Sequence, residues 1–232
     1  MIWLNLLLFI YFFNFSYEIQ RLNTSQLEYI INNNKKTNEL NQYYLIDTRD
    51  QSQSKLGYIP TSILLDLNLE FKKFINQLIL KDSKIIIITN ENNEFSNIYN
   101  LTLLNFSNIY GYYYINDWNN KLYKIKYEEI TVKSINNKIL NNEYILDVRE
   151  INEINNTGII SNSHIIPLSK LKDKYNSIKT NSNIYILCKS GKRAIIAYTF
   201  LESKNISNKL FVLEGGIDKA KSIGVDLVNY PS

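Results

Sequence analysis

The one cysteine of this chain lies among cations, directly after an apolar run. In the stretch 185–196, which reads YILCKSGKRAII, Cys188 is followed by Lys189, Lys192 and Arg193. A lone thiol is either a small buried hydrophobe or, once ionised, a strong nucleophile. Nearby cations stabilise the thiolate and lower the pKa of the thiol. The spacing therefore favours a reactive cysteine over a buried one.

The elements around the cysteine would place it at the edge of a sheet. The runs EYILD, NIYILC and LFVL are short and apolar, which predicts buried parallel strands, and GKRAIIAYTFLESKN has apolar positions three and four apart, which predicts an amphipathic helix. A turn from a strand to a helix at the carboxyl edge of a parallel sheet is where such folds bind ligands. Gly191 permits a tight turn whose amides converge on the cysteine. We expect a nucleophile with a lowered pKa inside a pocket for a small oxyanion.

Composition excludes several other classes of function. The 232 residues are 45% hydrophobic, which indicates a globular protein, and the net charge of +4 is spread along the chain without a basic block. We therefore expect no nucleic-acid partner. With one Cys and one His, the chain has no internal disulfide and no zinc site of the usual spacing, so we expect no metal. Covalent chemistry on a cysteine nucleophile would require no organic cofactor either.

The first residues form an apolar segment of their own. Residues 1–13, MIWLNLLLFIYFF, carry no charged side chain and are shorter than the ~20 residues of a membrane span. Residues 14–16 offer a small-residue cleavage site, so 1–16 predicts a signal peptide. This would send the protein into the secretory route, with a plastid-like organelle as one destination and no stable membrane span after cleavage. An uncleaved anchor formed by 1–16, or a buried first strand, is the alternative.

The chain repeats itself after about one hundred residues. YLIDTRD at 44–50 returns as YILDVRE at 144–150, and the apolar run at 84–89 returns at 183–187. Strands that alternate with helices indicate an α/β fold with a parallel sheet. The sequence therefore predicts two domains, 24–120 and 130–228, each a small parallel β-sheet flanked by helices.

A set of motifs in the second half resembles the rhodanese, or sulfurtransferase, family. In order and spacing the set consists of DVRE at 147–150, GII at 158–160 with IPL at 166–168, CKSGKRA at 188–194 and LEGGI at 213–217. The resemblance covers about 130–228, and a degenerate version covers about 24–120. It implies a tandem arrangement of two rhodanese-like domains, the first inactive and the second active.

The resemblance also implies a reaction and a set of site residues. The Cys188 thiolate would take the sulfane sulfur of a small anionic donor such as thiosulfate, and the resulting persulfide would pass it to a thiol or a protein cysteine. Cys188 would be the catalytic residue, and the substrate-binding residues would be Lys189, Ser190, Gly191, Lys192, Arg193 and Arg149. The alternative to substrate contact for Arg149 is a structural ion pair with Asp147 under the loop, which is the more frequent role of such residues.

This chain departs from the family pattern at several positions. Ile159 stands where the family usually has a histidine, and we expect the single histidine, His164, to be a structural or surface residue. In the first half Asn90 would stand at the position of the nucleophile and Phe95 at that of the cation. That domain would form no persulfide and would act as a structural or binding partner.

Two other functions fit the same fold. Phosphatases and arsenate reductases that resemble rhodaneses have one more residue between cysteine and arginine, which widens the loop for a phosphate. Here the loop from Cys188 to Arg193 has the shorter length that suits a sulfur atom. The other alternative is a non-catalytic scaffold, which retention of the complete loop disfavours for the second half.

Overall fold

The computed structural model describes residues 19–34, 42–67, 72–206 and 208–230. The predicted signal peptide, 1–16, lies outside these residues. Within the described ranges, no helix combines the length and the apolar character needed to cross a membrane.

The first half is built on a five-stranded parallel sheet with the order β1-β5-β4-β2-β3. Its strands are β1 (Gln20–Arg21), β2 (Tyr43–Asp47), β3 (Ile63–Leu64), β4 (Lys84–Thr89) and β5 (Ile109–Tyr114). The α-helices described in this half are α1 (Thr24–Asn34), α2 (Gln51–Ser54), α3 (Lys72–Leu78) and α4 (Glu94–Leu103).

The second half has a sheet of the same kind, with the order β6-β11-β10-β7-β9 and parallel pairing throughout. Its strands are β6 (Tyr127–Glu128), β7 (Tyr144–Asp147), β9 (His164–Ile165), β10 (Ile184–Leu187) and β11 (Leu210–Leu213), and β8 (Ile159–Ile160) pairs with β12 (Leu227–Val228) in an antiparallel ribbon. The α-helices described here are α5 (Val132–Leu140), α6 (Ile151–Thr157), α7 (Leu171–Lys174), α8 (Lys192–Ser203) and α9 (Gly216–Ser222).

The two sheets share one topology. Numbered along the chain within each sheet, the strands of both follow the order 1-5-4-2-3. This confirms the predicted α/β class, with two small parallel sheets flanked by helices. The domain boundaries at 24–120 and 130–228 stay a prediction.

The central strands are buried on both faces, which explains their continuous apolar sequence. In β4 all four isoleucines of the run Ile85–Ile88 have 0% exposure. One hydrophobic cluster contains Ile75 and Ile87 of the first half together with Ile186 and Phe200 of the second. The two halves therefore share a core.

Helix α8 differs from the amphipathic helix that its sequence predicts. Every residue from 194 to 201 is buried, because the first half covers the face that an isolated domain would expose to water. The Leu64 amide donates to Thr199 Oγ1 at 3.1 Å, and the Tyr58 hydroxyl bonds Glu202 Oε2 at 2.5 Å. The segment 169–178, SKLKDKYNSI, also has apolar positions three and four apart, which predicts a second amphipathic helix. It is shorter than predicted, since only α7 is α-helical and it lies between two 3-10 turns.

Candidate active site

Cys188 lies at the carboxyl end of β10, at the bottom of the turn that leads into α8. The Gly191 amide donates a hydrogen bond to its Sγ at 3.1 Å. The amides of Ser190 and Ala194 also point at the sulfur. Gly191 adopts a φ of +97°, which only glycine reaches without strain. The predicted ring of amides around the sulfur is therefore present.

The thiol itself is buried, with 1% exposure. Burial raises the pKa of Cys188 above its ordinary value, and the amides of Ala194, Gly191 and Ser190 and the charge of Arg193 oppose that rise only in part. The expected fall of this pKa is therefore wrong. The cations can be read from the sequence. The loss of water around the sulfur, which disfavours the charged thiolate, is visible only in the folded structure.

The raised pKa predicts how the thiol reacts with an alkylating reagent. The thiolate is the reactive form, so the alkylation rate of Cys188 by iodoacetamide should still be increasing about tenfold per pH unit at pH 8. The rate for a small free thiol such as glutathione should level off at a lower pH than that of Cys188, since an ordinary thiol has a pKa of about 8.5. The decay of the unmodified species of the protein and of glutathione, each followed by mass spectrometry from pH 6 to 10, measures both rates. A rate that is already constant at pH 7 would contradict the prediction.

Helix α9 holds the cysteine loop in place through its first residues. The Ile217 amide donates to the Cys188 carbonyl oxygen at 2.8 Å, and the Asp218 amide donates to the Lys189 carbonyl oxygen at 3.0 Å. This approach depends on Gly216, because a Cβ there would lie 2.3 Å from the Cys188 carbonyl oxygen. The two glycines after β11 therefore hold the cysteine loop in place, although the two segments are distant in the sequence.

Arg149 lies beneath the loop rather than in it, and its side chain is 1% exposed. The guanidinium binds the Asp147 carboxylate, at 2.5 Å for the shortest contact, and also bonds Thr157 Oγ1 and the Gly158 carbonyl oxygen. All three guanidinium nitrogens are thus bonded to protein atoms. The geometry supports the structural ion pair, which was the alternative to substrate contact.

Arg193 is held by a residue that the sequence analysis did not single out. Its two terminal nitrogens donate to the two carboxylate oxygens of Glu153, on α6, at 2.5 and 2.6 Å. The bond to Arg193 lowers the pKa of Glu153 more than burial raises it. Glu153 also accepts a hydrogen bond from the Glu150 amide, as the third residue of the capping box at the start of α6. The spacing of three residues between Glu150 and Glu153 is the sequence feature that could have indicated this role.

A pocket of about 370 Å³ opens beside the loop and is lined by both halves of the chain. Helix α3 of the first half contributes one wall, and α6 and the cysteine loop contribute the others; the lining residues are Lys73, Phe74, Glu150, Asn152, Glu153, Lys189 and Arg193. The predicted site residues Lys189 and Arg193 therefore face one cavity. Exposed Ser190 and Lys192 lie beside it, and the Lys192 carbonyl accepts from Gln51 Nε2 of the first half at 3.1 Å.

The corresponding loop of the first half shows a one-residue error in the sequence interpretation. Asp47 pairs with Ile88 as Asp147 pairs with Leu187, so the residue at the position of Cys188 is Thr89, and not Asn90. The same count places Glu94, rather than Phe95, at the position of Arg193. Thr89 Oγ1 accepts from the Asn97 amide group at 2.9 Å, and Glu94 is 6% exposed. A hydroxyl and a carboxylate replace the thiol and the cation, which suits neither a persulfide nor an anion.

His164 has a structural environment, as expected. Its ring stacks on Tyr144 with the centroids 3.9 Å apart and the planes at 1°.

Among the residues that the structure describes, no group of three or more His, Cys, Asp or Glu side chains is placed to hold a metal ion.

Comparison with known proteins agrees with this arrangement. Residues 131–222 match the family model of the rhodanese-like domain. Residues 131–222 therefore form a rhodanese-like domain. The matched residues contain the cysteine loop, the Asp147–Arg149 pair and the Gly-Gly turn of the rhodanese-like domain.

Relatives of this rhodanese-like domain are found among curated proteins and solved structures. The "Putative sulfur carrier protein YrkF" of Bacillus subtilis is 33% identical over 89 residues, which are 38% of this chain and 48% of that protein. "Uncharacterized protein YqhL" of the same organism is 37% identical over 75 residues, which are 32% of this chain and 58% of that protein. The chain thus spans about half the length of the curated relatives it matches.

Among solved structures, a rhodanese-like domain protein from Staphylococcus aureus is 30% identical, with a TM-score of 0.37, and the match covers 45% of this chain and 99% of that one. A thiosulfate sulfurtransferase from Pseudomonas aeruginosa is 14% identical, with a TM-score of 0.40, and the match covers 92% of this chain and 44% of that one.

Proposed function

We propose that this protein is a sulfurtransferase that carries a sulfane sulfur on Cys188, from thiosulfate or a similar anionic donor to a thiol or a protein cysteine. The observation that carries the proposal is the hydrogen bond of 3.1 Å from the Gly191 amide to Sγ, with the Ser190 and Ala194 amides aimed at the same atom. Preorganised amides of this kind stabilise an anion without reorganising during the reaction. A persulfide is such an anion.

The reaction would proceed by two displacements. In the first, the Cys188 thiolate attacks the outer sulfur of thiosulfate; the new Sγ–S bond forms, the S–S bond of the donor breaks, and sulfite leaves with the electron pair. In the second, the acceptor thiolate attacks the outer sulfur of the persulfide, and Cys188 leaves as the thiolate. No redox partner is required, and covalent catalysis divides one difficult transfer into two.

The charge of the pocket supports an anionic donor. Lys189 and Arg193 come from the second half and Lys73 from the first half, and these three cations outnumber the two carboxylates, Glu150 and Glu153, that line the same cavity. Cationic walls raise the local concentration of an anion and attract the sulfonate end of thiosulfate. The proposed contribution of the first half is therefore one wall of the pocket rather than a second reaction centre.

A scaffold without turnover is the second candidate, and the burial of the thiol favours it. Cys188 is 1% exposed, and its pKa is raised rather than lowered. A scaffold protein of this kind would bind a partner in the pocket between the two halves. The shared fold also admits a phosphatase, but the loop from Cys188 to Arg193 keeps the shorter length that suits a sulfur atom.

Mass spectrometry separates these candidates. Because Cys188 is the only cysteine, incubation with thiosulfate should add the mass of one sulfur atom to the intact protein, and cyanide should remove it. The Cys188→Ser variant should gain nothing, since it has no other thiol. Absence of the gain in the unsubstituted protein, with thiosulfate and with other sulfane donors, would reject the sulfurtransferase and leave the scaffold.

A further inference from the structure

The ion pair between Glu153 and Arg193 occupies the part of Arg193 that an oxyanion would use. The carboxylate takes both terminal nitrogens in parallel, at 2.5 and 2.6 Å. The guanidinium fork matches planar or tetrahedral oxyanions in this same two-point fashion. A sulfonate that is to be bound by this fork must therefore replace the carboxylate of Glu153.

The exposed fractions of the two side chains indicate which of them can move when an anion binds. The side chain of Glu153 is 29% exposed, whereas that of Arg193 is 13% exposed. The carboxylate belongs to the short helix α6 at the edge of the pocket and has solvent to move into. Arg193 belongs to the buried helix α8 and is fixed at the pocket wall. Displacement should therefore move Glu153 and leave the cation in place.

We propose that Glu153 is a positioning residue that holds Arg193 at the pocket wall and competes with the anionic sulfur donor for its guanidinium. This inference rests on the proposed function for the identity of the donor, but the competition concerns any oxyanion of similar size. Glu153 would thereby select among anions, since only an anion that binds the Arg193 guanidinium more tightly than the Glu153 carboxylate does would replace it.

Several other charges act on the same pocket and must be separated from Glu153. Arg193 comes from α8, Glu150 from α6, Lys189 from the loop and Lys73 from α3. Glu150 is the matched control, because it lines the pocket with the same charge while its carboxylate is bonded to the Ser169 hydroxyl at 2.8 Å and not to Arg193.

The test uses sulfate as an unreactive probe and alkylation of Cys188 as the readout. In Glu153→Gln the amide oxygen can still accept from the Glu150 amide, which preserves the cap of α6, while the charge that holds Arg193 is removed. The sulfate concentration that halves the rate of alkylation by iodoacetamide should fall about fivefold, the factor that corresponds to a partly exposed ion pair. The alkylation rate at pH 7 should rise several-fold, because Arg193 then acts on the sulfur without a neighbouring carboxylate.

Two comparisons make the result decisive. Glu150→Gln should change the sulfate concentration less than Glu153→Gln does, and Glu153→Asp, which keeps a carboxylate too short to span both nitrogens, should give an intermediate value. Equal effects of Glu150→Gln and Glu153→Gln, or a weaker binding of sulfate by Glu153→Gln, would overturn the proposal. Both readouts are independent of sulfur transfer, so a protein that forms no persulfide would still test the role of Glu153.

Discussion

Replacement of Gly216 by alanine should reduce sulfur transfer by at least about a hundredfold, because it displaces the loop that carries the cysteine. The added Cβ would lie 2.3 Å from the Cys188 carbonyl oxygen and 2.5 Å from the Lys189 carbonyl oxygen, and both are backbone atoms that cannot rotate away. The φ of +60° at this position adds about 1–2 kcal/mol of strain for any side chain. Relief of the clash requires α9 to withdraw from the loop, and the Ile217 and Asp218 amides would then lose their acceptors.

Gly224→Ala is the matched control for this prediction. Gly224 also has a positive φ, of +81°, but a Cβ there would meet nothing within 4 Å. It should therefore show the backbone strain alone, as a modest loss of stability with an unchanged rate of persulfide formation. Single-turnover mass spectrometry with thiosulfate gives the rate for both variants, and urea denaturation gives the stability. Equal rates in Gly216→Ala and the unsubstituted protein would show that α9 does not position the loop.

The elements around the cysteine could be predicted because buried parallel strands have a direct sequence signature. Their two buried faces produce continuous apolar runs such as that of β4, and glycine at a tight turn is equally visible. The placement of Cys188 between a strand and a helix followed from these local features. The presence of two similar parallel sheets followed from the repeated motifs.

What the sequence could not provide depends on contacts between distant parts of the chain. Glu153 and Arg193 are 40 residues apart, and only the packing of α6 beside α8 brings them together. Helix α8 is fully buried only because the first half covers one of its faces. Its own sequence therefore predicts an amphipathic helix and not a core helix. The assignment of Asn90 instead of Thr89 to the position of the nucleophile was wrong for the same reason. The register of a strand is fixed by the neighbouring strand, and a shift of one residue leaves the local sequence pattern unchanged.

Replacement of Arg149 by methionine should destabilise the protein by about 3–5 kcal/mol, which is the usual loss when one partner of a buried ion pair is removed. Asp147 is 0% exposed and would keep a buried carboxylate without its cation, and the Gly158 carbonyl oxygen would lose a donor. Methionine fills much of the same space, so the loss reports the charge and its hydrogen bonds rather than a cavity.

The first half offers the same substitution in an equivalent site, which turns this prediction into a test of how the halves cooperate. Arg49 binds Asp47 at 2.7 Å and the Gly57 carbonyl oxygen at 2.8 Å, as Arg149 binds its own partners. Because one hydrophobic cluster spans both halves, we expect Arg49→Met and Arg149→Met to lower the midpoint of a single urea transition by similar amounts. Arg21→Met, which breaks an exposed pair with Asp117, should leave that midpoint almost unchanged. Two separate transitions, each sensitive to only one of the buried arginines, would show that the halves unfold independently and that the wall contributed by α3 is not rigidly coupled to the cysteine loop.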